Sequence, residues 1–154
     1  EAGKPEEARK QYERALSLQL KSDLSAEVKD DAKLVHHYNL GRVAVRTGDL
    51  TDAKQHAEAF MQGATAKKNA AEIRQAHELA GIIALKSKQF DQALTHLSEA
   101  NQQDPYVLYR MGKAYKGKGD ETKAAEFFRK ATNINTLPTL NHAFVRAKAR
   151  QQKA

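Results

Sequence analysis

Three glycines stand at one fixed distance from three alanines. Gly41 precedes Ala53 by twelve residues, Gly81 precedes Ala93 by twelve, and Gly112 precedes Ala124 by twelve. Each Gly follows an apolar residue, and Ala44, Ala84 or Tyr115 follows it three positions on. The Gly lies inside an amphipathic helical pattern, where it costs ~1 kcal/mol relative to Ala. Close packing offsets that cost if two helix backbones approach there, because a Cβ at Gly41 would push them apart. A spacing kept three times therefore predicts repeated antiparallel helix pairs.

Each Ala heads an apolar stripe at helical spacing: Ala53, Ala57, Phe60, then Ala93, Leu97, Ala100, then Ala124, Phe128, Ala131. A fourth stripe, Ala8, Tyr12 and Ala15, stands near the start with no Gly-bearing helix before it. Pro occurs three times and β-strand alternation is nearly absent, so the whole chain reads as helical. Helices are predicted near 5–19, 25–47, 51–66, 69–87, 90–103, 105–117, 121–134 and 138–151. Asp104-Pro105 reads as an N-cap followed by Pro in the first turn. Gly48-Asp49 and Gly119-Asp120 each end one helix and start the next.

At this point the pattern resembles the tetratricopeptide repeat, W-x2-L-G-x2-Y…A-x3-F…P. "MGKAYKGKGDETKAAEFFRKA" (Met111 to Ala131) fits closely, Leu40 to Phe60 fits well, and Ala80 to Pro105 fits with its terminal Pro. Gly3 to Leu16 resembles the turn and second helix of one more repeat. The chain departs in having no Trp, with His37, His77 and Leu108 in that slot. The period is uneven, and the extra residues in "SAEVKDDAK" and "KKNAAEI" predict longer first helices.

The resemblance implies an all-α, helix-turn-helix repeat superhelix, an α-solenoid, in a single domain over 1–154. It comprises a partial repeat (3–22), three full repeats (25–67, 69–103 and 105–136) and a C-terminal capping helix (138–151). It further implies a partner-binding groove lined by the first helix of each repeat. Its slots hold Tyr38, Arg42, Val45 and Arg46, then Glu78, Ile82 and Lys86, then Tyr106, Tyr109 and Lys113. That groove suits an acidic or apolar protein or peptide. A Lys-Asn-Asn-Lys-Arg clamp for a terminal carboxylate is not expected, because Tyr38, Leu79 and Tyr106 stand in three of its slots.

Chemistry-bearing motifs are sparse. There are no Cys residues, which removes disulfides and thiolate chemistry without locating the protein. "HELAG" (His77 to Gly81) has Gly where a zinc motif needs its second His. His36 and His37 point about 100° apart on a helix, and repeat register explains His56 and His96. "GKGD" (Gly117 to Asp120) lacks the preceding strand of a phosphate loop and reads as a turn. No catalytic residue, cofactor or metal site is expected, and the protein is read as no enzyme. No apolar run approaches the ~18 residues of a membrane span. The chain opens without Met inside a structured pattern, which reads as a segment or a processed product.

Charge is unevenly placed. Residues 1–105 hold 15 Lys and Arg against 16 Asp and Glu, whereas 106–154 hold 11 against 3. The first functional reading is a non-catalytic interaction scaffold. One alternative is polyanion or nucleic-acid binding through the basic C-terminal third. Another is head-to-tail self-assembly, as a homo-oligomer or filament, through the two repeat ends. Ala8, Tyr12 and Ala15 would mark one end. Leu140, Phe144 and Ala147 would mark the other, with Ala143 in the same stripe and Arg146 in the glycine slot.

Overall fold

Short polar side chains set where the helices begin. Ser25, Asp49 and Asp120 each accept a hydrogen bond from the backbone N–H three residues on, and Asp104 accepts from Tyr106. The computed structural model describes residues 3–134 and 140–153. Within them run α1 (Pro5–Lys21), α2 (Ala26–Thr47), α3 (Leu50–Ala66), α4 (Ala70–Lys86), α5 (Phe90–Glu99), α6 (Pro105–Gly117), α7 (Glu121–Asn133) and α8 (Leu140–Arg150). A single 3-10 turn, Gln151–Lys153, follows, and no strand occurs among the described residues. The fold class is all-α, with successive helices paired as in a helical solenoid.

The long first helices are present: α2 has 22 residues and α4 has 17, against 13 in α6. One helix is shorter than its sequence pattern. α5 stops at Glu99 rather than near 103, because Ala100 is extended and the Gln102 amide folds back onto the open carbonyls. Gln102 Nε2 donates to Leu97 O at 2.7 Å and to Ala100 O at 3.1 Å, doing the work of a C-cap.

The turns share one design with two chemistries. Gly48 and Gly119 have positive φ, the region that favours glycine, but Lys68 and Lys88 adopt it too, at φ 53° and 59°. At Lys68, Lys88 and Gly119 the bonding is the same, with the next residue's N–H reaching back five positions: Asn69 to Ala64, Gln89 to Ala84, and Asp120 to Tyr115.

Two compact units divide the chain, residues 1–79 and 80–154, with the boundary inside α4. In the first unit α2 packs between α1 and α3. Its core holds Leu34, Phe60 and Ala76, with Tyr38 and Met61 against it. A Cβ at Gly41 would meet Leu79 Cδ2 at 2.8 Å, His56 Cβ at 3.4 Å and the Ala53 carbonyl at 3.7 Å. In the second unit α6 packs on α5, α7 and α8. A Cβ at Gly81 would stand 2.7 Å from Leu97, and one at Gly112 would stand 2.6 Å from the Phe128 ring. The glycines thus make room chiefly for side chains of packed helices, and the partner backbone comes second. Gly63, under Leu34, and Gly117, under Phe90, do the same without belonging to the twelve-residue spacing.

Candidate functional site

The face of α2 that is left open changes character along its length. Towards its start, Val28 and Val35 are exposed, at 43% and 46%. One and two turns beyond Tyr38 stand Arg42 and Arg46, both exposed. Arg42 lies 5.5 Å over the Tyr38 ring, which itself packs on Phe60 at 5.1 Å. No acidic side chain among the described residues pairs with Arg42 or Arg46. Their guanidinium groups are thus exposed donors, one turn apart, held on a rigid helix.

A cleft of about 500 Å³ opens beside them, with Lys4, Pro5 and Ala8 from the α1 side and Asn39 and Val43 from α2. A second cleft of about 260 Å³ continues it, sharing Tyr12 and Asn39 and reaching Leu16, Val28, Ala32 and Val35. Together they form one furrow between α1 and α2, basic at one end and apolar at the other. α1 forms its wall with no fully buried residue.

What ties α1 down is polar. Arg9 Nη2 donates to Asp52 Oδ2 on α3 at 2.7 Å, a half-buried pair that raises the Arg9 pKa. Asp52 Oδ1 faces His56 Nε2 at 3.5 Å, and His56 Nδ1 lies 2.9 Å from His37 Nδ1. With its proton on Nε2, His56 would point that N–H towards Asp52 and accept from His37 at Nδ1. Burial lowers the His56 pKa, with Asp52 opposing and His37 reinforcing the shift. Burial first, then His37, lowers His36 as well. This seam is absent from the sequence reading. The signal for it is His37 in a slot where the repeat pattern has an aromatic residue, opposite a second-helix His.

The remaining groove positions divide by unit. Glu78, in the first unit, is half-buried. Val45 is buried at 6% exposure and faces the core, so it lines no groove. In the second unit Ile82 is half-buried and Lys86 and Lys113 are exposed. Tyr109 packs on Phe128 at 5.6 Å, and burial raises its pKa. The Tyr106 ring receives Arg110 at 5.3 Å and Lys148 of α8 at 5.5 Å, a cation–π arrangement on a basic face.

At the C-terminal end, Val145 and Ala149 are buried under α7 and α6, while Arg146, Ala147 and Arg150 are exposed. The side chains of Leu140, Ala143 and Phe144 lie outside the described part of the structure. At the N-terminal end Ala8 is half-buried, and Tyr12 and Ala15 are exposed. Among the described residues no three His, Asp or Glu side chains converge as metal ligands. None of the helices described is long and apolar enough to cross a membrane.

Helix hairpins repeated on one Gly-to-Ala spacing define a helical-repeat protein. Residues 105–136, the α6–α7 hairpin, match the tetratricopeptide repeat family, and together with the other helix hairpins this match supports a tetratricopeptide-repeat protein. Neither curated proteins nor solved structures gave a match. The repeat suggests a protein–protein interaction scaffold, and such repeats are typically non-catalytic.

Proposed function

We propose that the protein is a non-catalytic scaffold that docks an acidic segment of a partner protein on the open face of α2. One observation carries this reading: Arg42 and Arg46 stand exposed, one turn apart and without acidic partners among the described residues, beside a cleft of about 500 Å³. Charge-assisted bonds from guanidinium to carboxylate are the strong class of hydrogen bond, and the cleft shields them in part from water. Tyr38 adds an aromatic surface under Arg42. In the second unit Lys113 and the Tyr106–Arg110 pair offer a separate basic, aromatic face of the same chemistry.

Fluorescence anisotropy of a labelled hexaglutamate peptide tests it. Binding at low salt should fall at least tenfold in the Arg42→Glu, Arg46→Glu double variant, with helical content unchanged. Equal binding by the variant defeats the reading. Duplex DNA serves as the competing ligand. Tight, steeply salt-dependent DNA binding that survives this double variant and is lost on Lys113→Glu would favour the polyanion alternative on the second unit.

A further inference from the structure

The His37–His56 contact joins α2 to α3, the two helices of a complete hairpin within the first unit. Its geometry says what lies between the rings. The facing Nδ1 atoms are 2.9 Å apart and the ring centroids 5.2 Å. That is close to the largest centroid distance the nitrogen spacing allows, so an N–H and a lone pair meet head-on. Nitrogens aimed at each other do not converge on a point beside them, so the contact suits one proton and not a shared metal ion.

A neutral imidazole has one donor and one acceptor nitrogen, and an imidazolium has two donors. Whichever ring donates across the contact, its other nitrogen can take a proton and leave the contact in place. The next proton has only the accepting nitrogen left. There it sets two N–H groups and two positive charges face to face.

The surroundings offer that charge little relief. The His56 side chain is 17% exposed, and Asp52 is already paired with Arg9 of α1. Burial is the chief cause that lowers the His56 pKa; Asp52 opposes it, and His37, Arg9 and His36 add to it. Glu13 of α1 acts on His36 and Arg9, and Glu6 of α1 acts on Arg9. From α4 the seam meets Leu79, which lies with His56 Cβ around Gly41 and brings no charge. The α6–α7 hairpin has no such contact: Leu108 stands in the His37 slot, and residues 105–133 contain no His.

We propose that the His37–His56 pair is a proton-operated latch between α2 and α3, closed while it carries at most one extra proton and opened by the second. Opening parts the first turns of α3 from the middle of α2, below the ordinary imidazole range. The two protons belong to the pair, so they are taken up in two linked steps. α2 also carries Arg42 and Arg46, so acid acts on the helix with the exposed arginines and spares the α6–α7 hairpin. The latch itself does not depend on what those arginines bind.

Hydrogen–deuterium exchange of the full chain at pH 7.5 and pH 5.0, corrected for intrinsic exchange, reads opening hairpin by hairpin. Protection in residues 50–60 should fall at least threefold at the lower pH, while that in residues 121–131 stays unchanged. His37→Phe and His56→Phe each keep a ring in the seam but remove one facing nitrogen, and each should abolish the acid response. Imidazole nitrogen shifts followed by NMR across the same range should show His37 and His56 titrating in two linked steps, and the remaining His of each variant in one. If a variant loses helical content at pH 7.5, the wild-type shifts and exchange decide alone. Equal loss of protection in both hairpins, or independent titration of the two rings with α3 unchanged, overturns the latch. An acid response that persists in both folded variants belongs to another group, such as His36, and overturns it too.

Discussion

The two units use the same hairpin and finish it differently. In the second unit each stripe residue is sealed: Ala93, Leu97, Ala100, Ala124, Phe128 and Ala131 are all buried. In the first unit α3 is sealed in the same way, but α1 is held by Arg9 and Asp52 and leaves a furrow. Charge differs as well. Residues 1–79 hold 13 Lys and Arg against 13 Asp and Glu, and 80–154 hold 13 against 6. The seam between first and second helix follows suit. His37 meets His56 in the first unit, whereas the Leu108 slot joins an apolar cluster with Phe128 in the second. A repeat thus specifies its backbone through a few small residues and leaves the seam free to be apolar or titratable.

Core truncation should break the comparison most sharply. Phe128→Ala should destabilise the second unit by about 3–5 kcal/mol, as removal of a buried ring does. Tyr12→Ala, at the corresponding stripe position of α1, should cost about 1 kcal/mol or less. Urea melts followed by circular dichroism would read both, and equal losses would mean that α1 is sealed after all.

Filling the glycine positions comes next. Gly112→Ala should cost about 1–3 kcal/mol, because the new Cβ meets the Phe128 ring in a filled core. Gly41→Ala meets mainly a terminal methyl of Leu79, so a helix-propensity gain of ~1 kcal/mol should leave it near neutral. Thermal midpoints of the two variants separate these outcomes.

Lys68→Gly and Lys88→Gly should each stabilise by up to about 1 kcal/mol, since glycine relieves the left-handed strain but adds freedom to the unfolded chain. Similar gains in both would show that this turn is independent of the seam beside it.

Acidification sharpens the contrast by the least. His36 and His56 have folded pKa values below their unfolded ones, so the unfolded chain takes up protons first. Their neutral forms favour folding fully above the ordinary imidazole range, and that contribution is lost as pH falls from about 6.5 through their lowered values. Melts at pH 7.5 and 5.5 should show the loss in the wild type and a reduced loss in His56→Phe. An unchanged difference between the two pH values in that variant would mean that His56 is not the titrating group.

Much of the fold was legible because its determinants are local. Asp49, Asp104 and Asp120 announce helix starts by their own bonding chemistry, and the small residues at Gly41, Gly81 and Gly112 must recur wherever the hairpin does. The early end of α5 was not legible, since it depends on Gln102 finding three carbonyls that only the folded turn presents. Val45 resembles a groove residue by register, but it is buried in the folded chain. The His37–His56 contact joins residues nineteen apart, and its meaning depends on ring orientation. The furrow was least legible of all, because it is space that surrounding residues leave open.

The half-buried Arg9–Asp52 pair also gives the molecule two different sensitivities to ionic strength. Exposed charges such as Arg42 and Arg46 are screened over a Debye length of about 10 Å at 0.1 M salt, while a pair withdrawn from water is screened much less. Concentrated electrolyte should therefore mute the cationic end of the furrow while its wall stays anchored. What then remains is an apolar slot, indifferent to brine and open to detergent.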